Sequence, residues 1–348
     1  MNYKFEVVGL DRAEQLDRFF LSVSNAMLYH SVKFARLLSA FLECEYRCVI
    51  AVDSHSQIVG ALPFFLKERH GVRVANSMPF YGSHGGVVLR ERNDELFAAL
   101  LGFYQAHVEL EGCAVSTVIA SPFSDDSAIY ELCFKIPPSD QRVGQITELP
   151  TESSDSALMG SLPSKTRNMV RKSEKQNFRW ISAFDEQALE FLANVHLENM
   201  QEIGGIAKPK HFFDLVASNF QYGLDYRIYM AYWDGQPVAA MLLFYSGKTV
   251  EYFTPVIKAE YRALQPLTCL IFNAMRDAVD EGYRYWNWGG TWVTQEGVYR
   301  FKKSWGAVDS PYNYYSVIFD DSVLSMSREQ LLSDYAYFYT VPFGWLRK

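Results

Sequence analysis

Residues 226–245 read YRIYMAYWDGQPVAAMLLFY. Two apolar runs flank Asp234-Gly235, a dipeptide that favours a two-residue hairpin turn, so the stretch predicts two antiparallel strands, Tyr226–Tyr232 and Val238–Tyr245. Ser246-Gly247-Lys248 then turns the chain into a third strand, Thr249–Val256. Beyond it, Leu267, Leu270, Ile271, Ala274, Met275, Ala278 and Val279 recur at the three–four spacing of one helix face, and Gly282 marks the stop. Tyr283–Trp288 reads as a further strand, which the helical return makes parallel to its neighbour. Antiparallel strands, a crossover helix and a parallel strand define an α+β domain with a mixed sheet.

The same strand–turn–strand unit occurs 180 residues earlier, as Tyr46–Val52, the turn Asp53–Gln57 and the strand Ile58–Leu66. The two copies share Tyr46/Tyr226, Arg47/Arg227, Ala51/Ala231, Val59/Val238, Ala61/Ala240 and Phe65/Phe244. So long a period does not fit a solenoid; it fits a duplicated domain. After the first copy, residues 91–110 read as a helix with Leu96, Leu100, Leu101 and Tyr104 on one side, and residues 115–120 as a strand. Pro137-Pro138-Ser139-Asp140 breaks the pattern and TESSDS follows at 151–156, so the expected domains are 1–150 and 151–348.

The length of 348 residues suits two domains, each with its own core. Apolar residues at 49% and charged residues at 21% exclude a disordered chain. No run of 18 apolar residues suggests a transmembrane helix, and charges enter the N-terminus too soon for a signal peptide. The cysteines Cys44, Cys48, Cys113, Cys133 and Cys269 are an odd, scattered set, which suggests reduced thiols in the cytoplasm. No second Cys or His pair completes a zinc site around Cys44 and Cys48, and no HExxH occurs, so no metal is expected. Walker A, GxSxG and GxGxxG patterns are likewise missing.

Four segments have residues suited to chemistry. The first, LPSKTRNMVRKSEKQNFRW at 162–180, holds Lys165, Arg167, Arg171, Lys172, Lys175 and Arg179 against one acid, Glu174; over 161–180 this is +5, while the whole chain is −7. Ser164 is placed to cap the helix after Pro163. Such a basic island on an acidic protein suits nucleotide-sugar pyrophosphate, lipid pyrophosphate or RNA; a solvated helix beside a linker has the same charge pattern. The second, PFYGSHGGVV at 79–88, offers Tyr81, His84 and a glycine-rich loop for close backbone approach to a ligand, although a bulged strand connection reads equally in those letters. The third runs from WNWGGTW at 286–292 to GVYRFKKSWG at 297–306. Its tryptophans, among them Trp288 and Trp305, suit a pocket wall, and Lys302 or Lys303 suits an oxyanion or a phosphate; a small aromatic core with surface lysines is the plainer alternative. The fourth, KAEYRALQP at 258–266, precedes the long helix where a pyrophosphate site would be glycine-rich; it has no glycine, and only Arg262 and Gln265 remain as anion contacts.

These segments together resemble the FemAB-type transferases. LPSKTRNMVRKSEK is similar to the opening of that family's second domain, and Tyr283–Gly290 followed by Tyr299–Gly306 to its Trp/Gly-rich strand and Phe–Lys motif. Leu62-Pro63-Phe64 and Pro79–Gly86 match its first half, so the resemblance spans roughly residues 25–320. It implies a tandem of two GNAT-like acyltransferase domains, in agreement with the internal repeat. It also implies acyl or aminoacyl transfer to an amine of a cell-envelope or polysaccharide precursor, from acyl-CoA or aminoacyl-tRNA, with no metal. By position Lys302 matches the lysine of the Phe–Lys motif, which in the family lies by the donor or acceptor carbonyl and phosphate, and Arg167 and Arg171 match basic positions of the second-domain helix.

Direct attack of a neutral amine on a thioester or ester needs no enzyme nucleophile, and none is evident in the sequence. Lys302 is the expected charge stabiliser, Arg167, Arg171, His84, Tyr81, Arg262, Trp288, Lys303 and Trp305 the expected substrate contacts, and His84, Glu251 and Asp309 the candidates for a general base. A nucleotide- or lipid-linked precursor is the expected partner, with a cytoplasmic location or the inner membrane face. Two alternatives stand beside this reading: an acetyl-CoA-dependent small-molecule N-acetyltransferase, and a non-catalytic module for RNA or anionic lipid. The aromatic C-terminal stretch from Tyr335 is a candidate membrane contact, against the simpler expectation that it packs on the second domain.

Overall fold

The computed structural model describes residues 3–80, 84–183, 185–292 and 294–347. The chain divides into two compact units, Met1–Val143 with Ser310–Lys348, and Gly144–Asp309. The division differs from the expected 1–150 and 151–348 in that the last segment returns to the first unit.

In chain order the first unit contains β1 (Lys4–Val8), α1 (Ala13–Ser22), α2 (Val32–Leu42), β2 (Glu45–Val52), β3 (Ile58–Arg69), β4 (Val72–Asn76), β5 (Val88–Leu89), α3 (Asp94–Leu110), β6 (Cys113–Ile119) and α4 (Ser127–Phe134). Then come β7 (Asp140–Glu148), α5 (Asp155–Ser161), α6 (Ser164–Glu174), β8 (Arg179–Ala183), α7 (Glu186–Glu202), α8 (Lys210–Asn219), β9 (Tyr226–Trp233), β10 (Gln236–Ser246), β11 (Thr249–Ile257), α9 (Pro266–Asp280), β12 (Tyr285–Thr291) and α10 (Glu296–Ser304). The chain closes with β13 (Val308–Ile318) and α11 (Arg328–Asp334).

Each unit repeats one topology. In the first, β1, β2, β3 and β4 are antiparallel neighbours, and β4 pairs in parallel with β6 after α3 crosses over. In the second, β8, β9, β10 and β11 are antiparallel neighbours, and β11 pairs in parallel with β12 after α9. Two helices separate the first two strands of each set, α1 and α2 in one, α7 and α8 in the other. The closing strands are exchanged in sequence. β13, late in the chain, pairs antiparallel with β6, and β7, early in the chain, lies beside β12.

Local chemistry accounts for these elements. Asp234 and Gly235 both take left-handed backbone angles (φ 48° and 75°), the geometry a two-residue hairpin requires. α9 starts at Pro266, whose missing N–H costs nothing there, and buries Leu270, Ile271, Ala274, Met275 and Ala278. With Met241, Leu243, Trp286 and Trp305 they form the second unit's core. The first unit's core gathers Leu62, Phe64, Leu100, Tyr104, Val118 and Tyr315.

Two expectations need correction. Ser164 does not cap α6: it is the helix's first residue, and its hydroxyl accepts from Arg167 instead. The C-terminal stretch packs on the first unit rather than the second domain. There Tyr335 donates to the carbonyls of Arg69 and Val72, Asn76 donates to that of Tyr339, and the Tyr337 ring stacks on Phe80.

Candidate functional site

The ladder between β11 and β12 holds the pairs Thr249/Tyr285, Val250/Trp286 and Glu251/Asn287, although β11 continues to Ile257 and β12 to Thr291. Side chains reinforce its last rung. Asn287 Nδ2 donates to Glu251 Oε2 at 2.8 Å, and the N–H of Gly289 donates to Asn287 Oδ1 at 2.9 Å. Gly289 is left-handed (φ 73°), which turns β12 as it leaves the rung. Across from it, Phe253 is the extra residue of a β-bulge, since Leu242 faces Thr254 and Leu243 faces Tyr252. Asn199 of α7 satisfies both backbone groups of Ile257 at the far end of β11.

Lys302 lies at the end of this ladder. α10 buries it, and its Nζ donates to Thr291 Oγ1 at 2.7 Å and to the carbonyls of Gly289 and Gly290 at 3.2 and 3.3 Å. Thr291 donates onward to Gln145 Oε1 at 3.1 Å, and Gln145 Nε2 donates to the Tyr299 carbonyl at 3.3 Å. Among the described residues no carboxylate pairs with Lys302, and burial pushes its pKa down to about 8. A buried charge ordinarily costs several kcal/mol unless its donors are met. Here three neutral oxygens meet them and leave the positive charge uncompensated. A fixed cation of this kind stabilises negative charge developing on a substrate oxygen.

The tryptophans have a different place from the expected one. Trp288 and Trp305 are buried framework, not exposed substrate contacts. Trp288 Nε1 donates to Thr147 Oγ1 at 2.9 Å, and Thr147 donates to the Trp305 carbonyl at 3.2 Å. The Trp288 ring meets Tyr252 at 4.9 Å, Phe301 at 5.9 Å and Trp305 at 6.1 Å, so it locks α10 against β12 and β11. The exposed aromatics of the motif are Phe301 and Trp292.

The remaining sequence candidates are dispersed. Lys303 is ion-paired with Asp309 at 3.4 Å, and Asp309 also accepts from the Tyr299 hydroxyl at 2.7 Å, so it is engaged as a surface partner. Arg262, exposed, is paired with Glu202. The glycine-free turn before α9 is a 3-10 turn, Ala259–Leu264, and Gln265 occupies the left-handed position (φ 61°) where glycine is usual. Arg167 is half-buried and clamps the start of its own helix, through the Leu162 carbonyl at 2.7 Å and Ser164 Oγ at 2.9 Å. Arg171 is exposed and touches only Asn168, at 3.2 Å. Lys165, Arg171, Lys172 and Lys175 are all exposed and fall within about 120° of the α6 circumference. Among the described residues none of them is in an ion pair.

In the first unit His84 is buried, edge-on to Tyr29 at 5.3 Å and to Tyr312 at 4.5 Å. The glycines beside it serve packing rather than a ligand: a Cβ on Gly85 would lie 2.6 Å from Ser77 Oγ, and one on Gly86 2.4 Å from the Tyr130 hydroxyl. Tyr81 lies outside the described residues. Sequence reasoning missed Thr291 and Gln145. Thr291 was within reach, one residue past the glycine pair; Gln145 was not, because nothing local ties β7 to β12.

Residues 164–303 match the acetyltransferase (GNAT) domain family. Comparison with curated proteins by sequence finds no match. Among solved structures the chain is similar to FemX, with a TM-score of 0.73 and 15% identity over 93% of this chain and 98% of that one. It is also similar to a tandem GNAT protein of clavulanic acid biosynthesis (TM-score 0.58, 11% identity, 91% and 99% covered). A third likeness is to the C-terminal domain of a putative lysylphosphatidylglycerol synthetase from Agrobacterium fabrum (TM-score 0.56, 13% identity, 95% and 98% covered). Among the described residues no cluster of three metal-ligating side chains occurs, and no helix is long and apolar enough to cross a membrane. With the parallel strand pair, its crossover helix and the duplicated topology, these likenesses make residues 164–303 a GNAT acetyltransferase domain and the chain an acyltransferase on the tandem GNAT fold.

Proposed function

We propose that this acyltransferase moves an acyl or aminoacyl group onto an amine of a nucleotide- or lipid-linked precursor of the cell envelope or a polysaccharide. The supporting observation is Lys302, a buried cation with no acidic partner, fixed by three oxygens at the end of the β11–β12 ladder. The neutral acceptor amine attacks the carbonyl of the donor, a thioester of coenzyme A or an ester of aminoacyl-tRNA. A C–N bond forms, the C–S or C–O bond breaks, and the thiol or hydroxyl leaves with the proton lost by the amine. Lys302 offsets the charge gathering on the carbonyl oxygen, and Glu251, the carboxylate of the paired ladder residues, is the candidate to take the proton.

The similarity to FemX and to a lysylphosphatidylglycerol synthetase domain supports an aminoacyl donor, and the acetyltransferase domain match supports acyl-CoA. The exposed cations of α6 suit phosphate on either ligand. The proposed location is the cytoplasm or the inner face of the membrane, where such precursors are handled. Native mass spectrometry with a mixture of acyl-CoAs, followed by charged tRNA, tests the donor. A retained acyl-CoA fixes the donor class and its acyl group. Retention of neither donor by folded protein overturns the proposal.

A further inference from the structure

A lysine ammonium carries three N–H donors and no acceptor, and in Lys302 all three are taken, by Thr291 Oγ1 at 2.7 Å and by the carbonyls of Gly289 and Gly290 at 3.2 and 3.3 Å. The hydroxyl of Thr291 has a single proton, so it holds the ammonium only while that proton points elsewhere. It points at Gln145 Oε1, 3.1 Å away. The glutamine cannot turn its amide around, because its Nε2 meets the carbonyl of Tyr299 at 3.3 Å and a carbonyl only accepts. Tyr299 and Lys302 lie about one turn apart on α10, so the bonds run from α10 through β12 and β7 and back to α10. Gln145 and Thr291 are both buried, which puts these bonds out of reach of bulk water.

Thr147, two residues further on and on the same face of β7, serves the tryptophan framework through Trp288 and the Trp305 carbonyl. Both side-chain bonds of Gln145 instead close the circuit around Lys302. A leucine would fill the same place with no polar group to satisfy, so stability alone does not call for a glutamine there. Along α10 the neighbouring charges are paired, Arg300 with Glu296 and Lys303 with Asp309, and the groups that β12 and β7 bring to the lysine and its hydroxyl partner are uncharged. The short bond to Thr291 is thus the anchor of the ammonium, and the longer pair to the glycine carbonyls is what a substrate oxygen can displace.

We propose that Gln145 is a positioning residue for acyl transfer: by turning the Thr291 hydroxyl proton away from Lys302 it keeps the lysine charged and anchored while a substrate oxygen takes the place of a glycine carbonyl. The inference rests on the acyl-transfer reading for what Lys302 acts on, and its first test needs no turnover. The intact protein is made with lysine isotope-labelled at Cε, and the carbon shift is followed by NMR between about pH 6 and about pH 11, the Lys302 signal being the one lost in Lys302→Met. The wild-type midpoint is expected at about 8. Gln145→Leu frees the hydroxyl proton to face Nζ, which favours the neutral amine, and the midpoint falls by about one unit. Gln145→Glu keeps an acceptor for the Thr291 hydroxyl, and the midpoint stays at or above the wild-type value. A midpoint unmoved in folded Gln145→Leu, or lowered as much by Gln145→Glu, overturns the proposal.

With donor and acceptor in hand, Gln145→Leu lowers kcat roughly ten- to a hundredfold while KM holds, and its alkaline limb moves down with the NMR midpoint. Gln145→Glu restores the rate. Wild-type kcat in Gln145→Leu overturns the proposal even where acyl transfer is confirmed. Failure of the wild type to retain any donor in native mass spectrometry strikes the transfer reading instead, and the titration then still decides whether Gln145 governs the charge of Lys302.

Discussion

The hydroxyl of Thr166 donates to the backbone carbonyl of Ser304, which ties the first turn of α6 to the last turn of α10, two residues past Lys302. The basic helix and the Phe–Lys motif, 138 residues apart in sequence, are thus one mechanical piece. Thr166→Val removes the donor and leaves that buried junction with an unmet carbonyl. The expected cost is about 1–3 kcal/mol in urea unfolding, with a lower kcat, and Thr166→Ser restores both. Wild-type stability in the valine variant counts against the tie.

Lys302→Met keeps the volume and removes the charge. Turnover is expected to fall roughly 10²–10³-fold, the size of an oxyanion contact, while thermal unfolding shows an intact fold. Full activity in this variant removes Lys302 from the chemistry.

The same residue sets a pH dependence. Its pKa is near 8 in the folded chain and about 10.4 unfolded. Between those values the unfolded chain binds more protons, so this group makes stability rise with pH while the charge proposed to act in transfer is lost. Lys208, also near 8, adds to the same window, so the Lys302 share is the difference between wild type and Lys302→Met. Profiles of kcat/KM should fall above pH 8 in wild type and lose that limb in the variant. Coincident profiles would refute the assignment.

Gly86 takes a left-handed φ of 94°, and a Cβ there would lie 2.4 Å from the Tyr130 hydroxyl, which in turn accepts from the N–H of Val87. Gly86→Ala is expected to destabilise the protein by about 3 kcal/mol in chemical denaturation. A change under half that size would mean that Tyr130 can step aside.

The exposed cations of α6 can be counted by salt. On a single-stranded RNA probe, neutralising Lys172 and Lys175 to Gln is expected to flatten the slope of log affinity against log salt by about 1.4. An unaltered slope would take α6 off the nucleic-acid face.

Much of the fold was legible because it is written in local periodicity. The Asp234-Gly235 turn, the α9 face and the parallel β12 could all be read from residues 226–288, and the first copy followed by similarity. The motif singled out Lys302, but not the three oxygens that hold it. The exchange of β7 and β13 was not, since a strand's own letters do not say which sheet it joins. Nor did the motif reveal that Trp288 and Trp305 are framework: a tryptophan lining a pocket and one filling a core look alike in sequence, and only the ring contacts separate them.

Ile119 of β6 pairs with Tyr314 of β13, 195 residues later. During synthesis β6 therefore emerges with one edge bare, and at about 5–20 residues per second that edge waits roughly 10–40 s for its partner. A bare strand edge is a template for pairing with other chains. The duplicated architecture thus leaves an aggregation-prone edge on the ribosome, in the half made first.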